Sequence, residues 1–409
     1  MTGEELKKLA KVFVRVGGAV QPGDVVVIAC DTQDAPFARI VSEVAYDAGA
    51  KNVVYKWDDE ECSRMRFLRA KDEVFDESND WLAEYFKYYD DQDAVYLNII
   101  SNDPDFLAGV DPDRIGRGTV SRGKTLVKHR ENTMSNKVRW SIVGLPSPRW
   151  AAKVFPTLPL NEAVERLGEA ILKVSRAQVA DPIRAWEEHN NNFKQRVEYL
   201  TKKNFKSLKF KNKLGTDLEV RLLPGHQWVG GRESSSGGRG FNPNIPTEEI
   251  FTAPYKFGVN GRVVASLPLS LYGNLIEGFE FTFENGKVVD FKAEKNEENL
   301  KKLIETDEGS KYLGEVALVP IDSPISREGV LFYETLFDEN AACHLALGKG
   351  YAINLKDSDG MTKEEIAAVG LNDSLVHIDF MFGTEDMSII GIEYDGTESD
   401  VFVNGLFVF

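Results

Sequence analysis

The chain has 409 residues, 42% of them hydrophobic, so it is long enough for two globular domains with sizeable cores. Its formal net charge of −16 at pH 7 argues against nucleic acid and anionic membranes as partners, because both favour basic surfaces. The three cysteines, Cys30, Cys62 and Cys343, have no paired spacing, so a disulfide framework is not expected and the cytoplasm is the expected location.

The amino terminus is predicted to start with a helix and not with a signal peptide. Thr2 and Glu5 have the spacing of a capping box, and apolar residues then recur at helical intervals as far as Val14. No apolar run in the chain approaches the length that crosses a membrane. We therefore expect an amphipathic first helix and no membrane partner.

Strands and helices alternate over the first hundred residues. Residues 25–30 form an unbroken apolar run, typical of a strand buried on both faces, and residues 37–48 carry apolar side chains at helical spacing. Further strands are predicted at 53–55 and 94–100, with a helix around 81–86 between them. This alternation predicts a parallel α/β layer.

A dinucleotide site is the first function to consider for such a layer, because parallel sheets often bind cofactors at their carboxyl edge. The first predicted strand runs into Asp31–Pro36, which contains no glycine for a tight turn or for close approach of the backbone to a pyrophosphate. The sequence therefore disfavours a dinucleotide cofactor.

A long helix is predicted to link two domains, residues 1–200 and 201–409. It is expected to start at Asp181-Pro182, where an N-cap residue precedes proline at the first helical position, and to end near Leu200. The predicted fold class is α/β, with a parallel α/β amino-terminal domain followed by a strand-rich α+β domain.

Within the second domain, Asn285-Gly286 and Asn404-Gly405 lie between alternating apolar residues and predict hairpin turns. One helix is expected among the strands, over Asn340–Leu347, with Gly348 ending it.

The segment Gly230–Gly240 is rich in glycine and serine. It lacks the Gly-Lys-Ser/Thr ending of a phosphate-binding loop, and it runs toward Glu249, which favours a mobile loop bordering a functional site. Three of the five histidines lie in charged, polar or loop segments and are expected at the surface: His129, His189 and His226.

The other two histidines predict parts of a metal site. In Val376–Phe380, strand alternation places His377 and Asp379 on the face opposite the apolar side chains, so that an imidazole and a carboxylate converge. A solvated polar face of a strand is the alternative interpretation of the same pattern. His344 lies in another segment with candidate ligands, which begins with Asp338-Glu339 and is followed by Tyr351.

Two acidic positions strengthen the metal interpretation. Glu315 opens the apolar run 315–320, and a carboxylate held beside a core favours a cation, although the solvated mouth of a strand is the alternative. Glu248 and Glu249 follow the proline-containing segment 242–247; if this segment enters a strand, only one of the two can face inward.

Four separate blocks together resemble the signature segments of one family. In the family's order and approximate spacing, they are Pro246–Pro254, Gly314–Val319, Asp338–Gly348 and His377–Met381. On these residues the chain resembles the thermophilic-type dinuclear metallo-aminopeptidases, the family of aminopeptidase T, aminopeptidase S and aminopeptidase II. The amino-terminal half resembles the family more loosely, through Arg139–Ser141 and Pro148–Pro156.

The resemblance implies a set of ligands for two divalent metal ions. It implies that one ion is bound by Glu249, His377 and Asp379, that the other is bound by Glu339 and His344, and that Glu315 bridges both. Tyr351 falls where the family keeps a catalytic tyrosine, which would donate a hydrogen bond to the developing oxyanion.

The implied function is removal of amino-terminal residues from peptides by a homodimer with an enclosed site. Two ions about 3.5–4 Å apart can activate one shared water, and carboxylates with imidazoles suit zinc, cobalt or manganese. One alternative is another dinuclear hydrolase, such as a phosphoesterase, but such sites usually add Arg or Lys and the blocks offer only the adjoining Lys349. The other is a non-enzymatic metal-binding module, for which cysteine-rich ligand shells are usual.

Overall fold

The computed structural model describes residues 1–271, 274–358 and 360–409. The chain divides into two compact units, unit 1 with Met1–His189 and Arg232–Pro246, and unit 2 with Asn190–Gly231 and Thr247–Phe409. The domain boundary predicted between residues 200 and 201 stays a prediction. In the structure, the segment Arg232–Pro246 packs with unit 1.

The amino-terminal half is mostly helical around four strands. Its elements are α1 (Gly3–Val12), β1 (Val25–Asp31), α2 (Ala35–Asp47), β2 (Asn52–Asp58), α3 (Glu60–Arg69), α4 (Asp80–Asp90), β3 (Val95–Ile100), α5 (Pro112–Thr125), α6 (Val127–Met134), β4 (Trp140–Gly144), α7 (Pro148–Val154), α8 (Leu160–Val174) and α9 (Pro182–Lys203). The capping box of Thr2 and Glu5 is present at α1, and α9 is the long helix predicted from Asp181-Pro182.

The carboxyl-terminal half is mostly strands. Its elements are β5 (Ser207–Lys211), β6 (Asp217–Leu222), β7 (Val229–Gly230), β8 (Glu233–Ser234), β9 (Gly240–Phe241), β10 (Asn244–Ile245), β11 (Ile250–Thr252), β12 (Pro254–Val264), β13 (Leu269–Leu271), β14 (Asn274–Ile276), β15 (Glu280–Glu284), β16 (Lys287–Lys292), α10 (Glu297–Ile304), β17 (Leu313–Leu318), α11 (Thr335–Asp338), β18 (His344–Gly348), α12 (Lys363–Ala368), β19 (His377–Met381), β20 (Ser388–Ile392), β21 (Glu398–Val403) and β22 (Leu406–Phe407). Asn285-Gly286 and Asn404-Gly405 adopt positive φ between paired antiparallel strands, so both predicted hairpins are confirmed.

Unit 1 is built on a parallel sheet with the strand order β10-β4-β3-β1-β2. The central residues Val26, Val27 and Ile28 are fully buried, as expected for a parallel strand with both faces covered. The predicted parallel α/β layer is therefore confirmed. In the described part of the chain, no helix combines the length and the apolar character that a membrane span needs.

Unit 2 contains two larger antiparallel sheets that share one hydrophobic core. The first has the order β16-β15-β12-β6-β5-β20-β21-β22, and the second has the order β19-β18-β17-β11-β7. Leu208 and Phe210 of the first sheet belong to the same buried cluster as Val316, Leu345 and Phe380 of the second. The strand-rich second half is confirmed, and with it the predicted fold class.

The prediction of a helix over Asn340–Leu347 is wrong. Residues 339–341 form a short 3₁₀ turn after α11, and His344–Gly348 is the strand β18, which lies between β17 and β19. All five residues of β18 are buried, so the apolar run has no alternation from which a strand could be distinguished from a buried helix.

The segment Gly230–Gly240, predicted as a mobile loop, contains much of a small hairpin. Strands β8 and β9 pair in antiparallel register, and the Arg239 guanidinium lies 2.9 Å from Asp24 in the same unit. The backbone of Ser235 also accepts a hydrogen bond from Gly238 and donates one to Arg239. That the segment borders the functional site stays a prediction.

Candidate metal centre

Three adjacent strands of unit 2 bring four candidate ligands to one face of a sheet. Glu315 lies on β17, His344 on β18, and His377 and Asp379 on β19. The antiparallel register pairs Ala317 with His344, Glu315 with Ala346, and Ala346 with Asp379. Because directly opposed residues point to the same side, all four ligand side chains share one face.

The opposite face of the same strands fixes this register. Val316, Leu345, Leu347 and Phe380 are buried in the shared core of unit 2. A slip of one residue would carry the ligands into the core and the leucines out of it, so hydrophobic packing holds the ligands on their face.

Small residues leave room beside the ligands. Ala317, Ala346 and Gly348 share the ligand face, and none of them extends beyond Cβ. Gly348 has φ +108°, and a Cβ there would lie 2.1 Å from the carbonyl oxygen of Val376. Only glycine fits at the position that faces His377.

Glu249 and Glu339 come from outside these strands. Glu249 immediately precedes β11, which pairs with β17, and Glu339 begins the 3₁₀ turn after α11. Glu248 and Glu249 are both buried, because they lie before the strand and alternation does not constrain them. The expectation that only one faces inward holds for a strand and does not apply here.

The ligand atoms form two groups that share Glu315. His344 Nε2 lies 3.1 Å from Glu249 Oε2 and 3.4 Å from Glu315 Oε1. His377 Nε2 lies 3.6 Å from Glu315 Oε2 and 3.4 Å from Asp379 Oδ1. Within each group of three side chains, one ligand atom per residue lies within 4.8 Å of the others, which is close enough to hold one ion.

This grouping differs from the one that the resemblance implies in two respects. Glu249 lies with His344 and not with His377 and Asp379. Glu339 belongs to neither group of three. Burial raises the pKa of its carboxyl group, and the nearby Glu249 and Asp379 raise it further. The structure therefore brings all six predicted ligands to one region.

Both imidazoles are oriented by backbone carbonyl groups. His377 Nδ1 lies 2.6 Å from the carbonyl oxygen of Lys349, and His344 Nδ1 lies 3.3 Å from that of Ala342. A proton on Nδ1 that is donated to a carbonyl leaves the lone pair of Nε2 directed at the carboxylates, an arrangement that metal-bound histidines use.

The site contains polar atoms that a cation would satisfy. Among the described residues, His344 Nε2 and Asp379 Oδ1 are buried without a hydrogen bond, despite their short contacts. In the same part of the chain, no ion pair joins Lys or Arg to the four carboxylates. Buried carboxylates need compensating positive charge, so this donor set fits divalent metal ions.

Burial and mutual repulsion dominate the electrostatics. Burial raises the pKa of Glu315 and, together with Glu249, raises that of Glu339 well above its usual range. Burial lowers the pKa of His377, but Asp379 and Glu315 outweigh it and raise the pKa to about 9. The clustered carboxylates thus create a negative local potential that favours bound cations, protons included.

Tyr351 lies beside the ligands. Its ring centroid is 4.7 Å from that of His377 and 6.1 Å from that of Phe251. Burial, followed by Glu315 and Asp379, raises the pKa of the phenol well above its usual range. Tyr351 therefore keeps its proton at neutral pH and can donate a hydrogen bond.

Of the three histidines expected at the surface, His226 is buried, and His129 and His189 are partly buried. His129 stacks on Phe86 at 4.1 Å and contacts Asp90 at 3.0 Å, and His226 is buried with Nδ1 3.0 Å from the carbonyl oxygen of Leu223. Their partners are distant in the sequence or are backbone atoms, so the local polarity did not reveal them.

A buried site of carboxylates and imidazoles, without cysteine in either ligand group, defines a metalloprotein with a centre of the kind that hydrolases use. The profile of the family described as thermophilic metalloprotease (M29) matches residues 2–407. The chain belongs to this family.

Relatives are similar over nearly the whole chain. Aminopeptidase 2 of Geobacillus stearothermophilus is 44% identical over 406 residues, which are 99% of this chain and 98% of that protein. Aminopeptidase AmpS of Bacillus subtilis (strain 168) is 43% identical over 406 residues, 99% of each. The solved structure of wild-type AmpT from Thermus thermophilus has a TM-score of 0.92 and 41% identity, and 99% of each chain is covered.

Proposed function

We propose that the protein is an aminopeptidase that removes amino-terminal residues from peptides with two bound divalent metal ions. The observation that carries the proposal is the pair of three-residue groups that share Glu315, one with Glu249 and His344 and one with His377 and Asp379. The relatives are named as aminopeptidases, which supports the same substrate class.

In this proposal each group of three holds one ion, and Glu339 contributes a further oxygen. Four carboxylates nearly neutralise two dications. The positive charge that remains on the pair would still attract a free α-amine and a carbonyl oxygen. The absence of cysteine ligands and the mixture of oxygen and nitrogen donors favour zinc, cobalt or manganese.

When bound, two divalent ions supply a water of lowered pKa and polarise the scissile carbonyl. The protein's own residues supply the rest. One of the site carboxylates accepts the proton of the attacking water, and the Tyr351 hydroxyl donates a hydrogen bond to the oxygen that becomes negative in the transition state. The buried surroundings strengthen each of these interactions because they exclude water.

The resemblance to the family also supports three further proposals, namely a homodimer, an enclosed site and a cytoplasmic location.

Activity on matched peptides tests the function. We expect hydrolysis of a peptide with a free amino terminus and no hydrolysis of its N-acetylated form by the same preparation. A chelator should abolish the reaction, and cobalt, zinc or manganese should restore it, because ligand oxygens and imidazoles bind these ions reversibly. Hydrolysis in a preparation shown by elemental analysis to be metal-free would overturn the proposal.

A further inference from the structure

Two buried asparagines hold the backbone around the candidate metal centre. Asn340 follows Glu339 directly and is fully buried, and Asn372 is 2% exposed on the segment that leads into β19. Both belong to unit 2. Neither is placed among the candidate ligands, yet each joins segments that carry them.

Asn340 connects the two glutamates that come from outside the strands. Its Oδ1 accepts a hydrogen bond of 2.6 Å from the backbone N–H of Glu248, the residue before Glu249. Its Nδ2 donates to the carbonyl oxygen of Leu336 at 2.9 Å and reaches Glu339 Oε1 at 3.5 Å. One amide group thus fixes the approach of both segments.

This connection opposes a repulsion. Glu249 and Glu339 are both acidic side chains of the candidate centre, and like charges repel, so the two carboxylates favour separation. Asn340 donates to one of these carboxylates and accepts from the backbone beside the other. Its removal would let the segment with Glu249 move away from Glu339.

Asn372 holds the backbone that orients His377. Its Nδ2 donates to the carbonyl oxygens of Gly348 at 2.6 Å and of Gly309 at 2.8 Å. The backbone carbonyl oxygen of Asn372 accepts a hydrogen bond from the backbone N–H of Gly350 at 2.9 Å. The contacts to Gly348 and Gly350 lie on either side of Lys349, whose carbonyl accepts the His377 Nδ1 contact at 2.6 Å.

We propose that Asn340 and Asn372 are positioning residues, each for a different ion of the pair. Asn340 sets the geometry of the group with Glu249 and His344, and Asn372 sets that of the group with His377 and Asp379. The inference rests on the proposed two-ion function. Removal of such outer partners of metal ligands weakens metal affinity by about 10–100-fold in other metalloproteins.

The test uses one substitution at two places, so that each variant is the control for the other. Asn340→Asp and Asn372→Asp keep the size and one oxygen of the side chain, replace the Nδ2 donor with a second oxygen, and add the same negative charge at both places, so a difference between the two variants cannot come from the charge alone. The full-length metal-free proteins are titrated with Zn²⁺ in competition with a chromogenic chelator. Anomalous diffraction from crystals grown at limiting Zn²⁺ then identifies which of the two positions is filled first.

We expect a crossed pattern. Asn340→Asp should weaken the ion at Glu249 and His344 by about 10–100-fold and leave the ion at His377 and Asp379 close to wild type, and Asn372→Asp should do the reverse. Equal weakening of both ions in both variants, or unchanged affinities, would show that the two asparagines only stabilise the fold and would overturn the inference.

Milder variants decide the matter if an aspartate variant does not fold. Ser323→Ala removes a hydroxyl that donates to the backbone carbonyl oxygen of Asn340 at 2.9 Å. Asn372→Ser keeps a hydrogen-bond donor on a shorter side chain. Each should weaken the same ion as its aspartate counterpart, by a smaller factor. A wild-type protein that binds fewer than two ions would overturn the proposed function itself, and two ions bound in the wild type without a crossed pattern would overturn only the positioning roles.

Discussion

Two clusters of acidic side chains, one in each unit, differ in what satisfies them. At the carboxyl edge of the parallel sheet in unit 1, Asp34 accepts a hydrogen bond from Ser101 at 2.6 Å, and Asp31 accepts from the backbone of Gln33 at 3.0 Å and of Glu60 at 2.8 Å. In unit 2 the acids of the metal centre meet imidazole nitrogens, and buried ligand atoms such as Asp379 Oδ1 make no hydrogen bond among the described residues.

The difference shows that a concentration of carboxylates does not by itself indicate a metal site. The cluster in unit 1 is completed by hydroxyl and backbone N–H donors of the protein, so it needs no cation. The cluster in unit 2 has its backbone contacts on the far side of the imidazoles, at Lys349 and Ala342, and leaves Nε2 directed inward. The two acidic clusters therefore differ in whether hydrogen-bond donors of the protein itself satisfy the carboxylates.

Removal of a ligand should produce the largest effect and tests the comparison directly. His344→Ala and Asp379→Ala are expected to lower kcat/KM by about 10³-fold or more, because a catalytic metal contributes several kcal/mol to the transition state. Each should lose a different ion, located by anomalous diffraction, while circular dichroism shows an intact fold. Asp34→Asn in the other cluster is the matched control and should keep both ions and the wild-type rate. A ligand variant that retains both ions at full occupancy would remove that residue from the ligand set.

Tyr351→Phe should have the next largest effect. The ring remains against His377 and Phe251, so only the hydroxyl is lost. We expect kcat to fall on the order of 10²–10³-fold, as loss of one preorganised donor does elsewhere, with both ions and the substrate KM nearly unchanged. Steady-state kinetics with metal analysis measures this. A wild-type kcat would mean that the oxyanion is stabilised by other groups.

The smallest expected effect is a pH dependence of stability from unit 1. Burial raises the pKa of Asp34 to about 6 from an ordinary value of 3.8, although the Ser101 hydrogen bond lowers it. Since the folded state binds the proton more tightly than the unfolded state, the stabilisation is fully present below pH 3.8 and is lost as the pH rises through about 6. Asp34→Asn has no carboxyl group at this position, so its stability should not decrease for this reason as the pH rises.

Urea unfolding of the two metal-free proteins between pH 4 and 7 checks the sign. The free energy of unfolding of the wild type should decrease relative to Asp34→Asn by up to about 3 kcal/mol over this range. A constant difference between the two proteins would mean that the Asp34 carboxylate is solvated well enough in the folded state to ionise normally.

Local patterns in the sequence predict the outline of the fold and part of the site. The apolar run of β1 and the alternation of His377 and Asp379 in β19 are each visible over a few residues, and both strands are confirmed. The run His344–Gly348 misled because a strand buried on both faces has no alternation, and its neighbours β17 and β19 are distant in sequence.

The supporting residues of the site could not be found from the sequence. Asn340 and Asn372 bond backbone atoms of residues as far as 92 and 63 positions away, and a backbone acceptor leaves no trace in residue type. The resemblance to a family supplied the six candidate ligands and Tyr351, whereas the proximity of Glu249 to His344 depends on the pairing of β11 with β17.

The leucines behind the metal centre have a consequence for the order of assembly. Because Leu345 and Leu347 fix the register of β18, formation of the sheet is enough to place His344, without a contribution from a bound ion. Metal would then bind to a preformed site. Zinc fingers differ, because they are unfolded until the ion binds. Under the proposed function, we therefore expect that ions can leave and be replaced without unfolding of the chain.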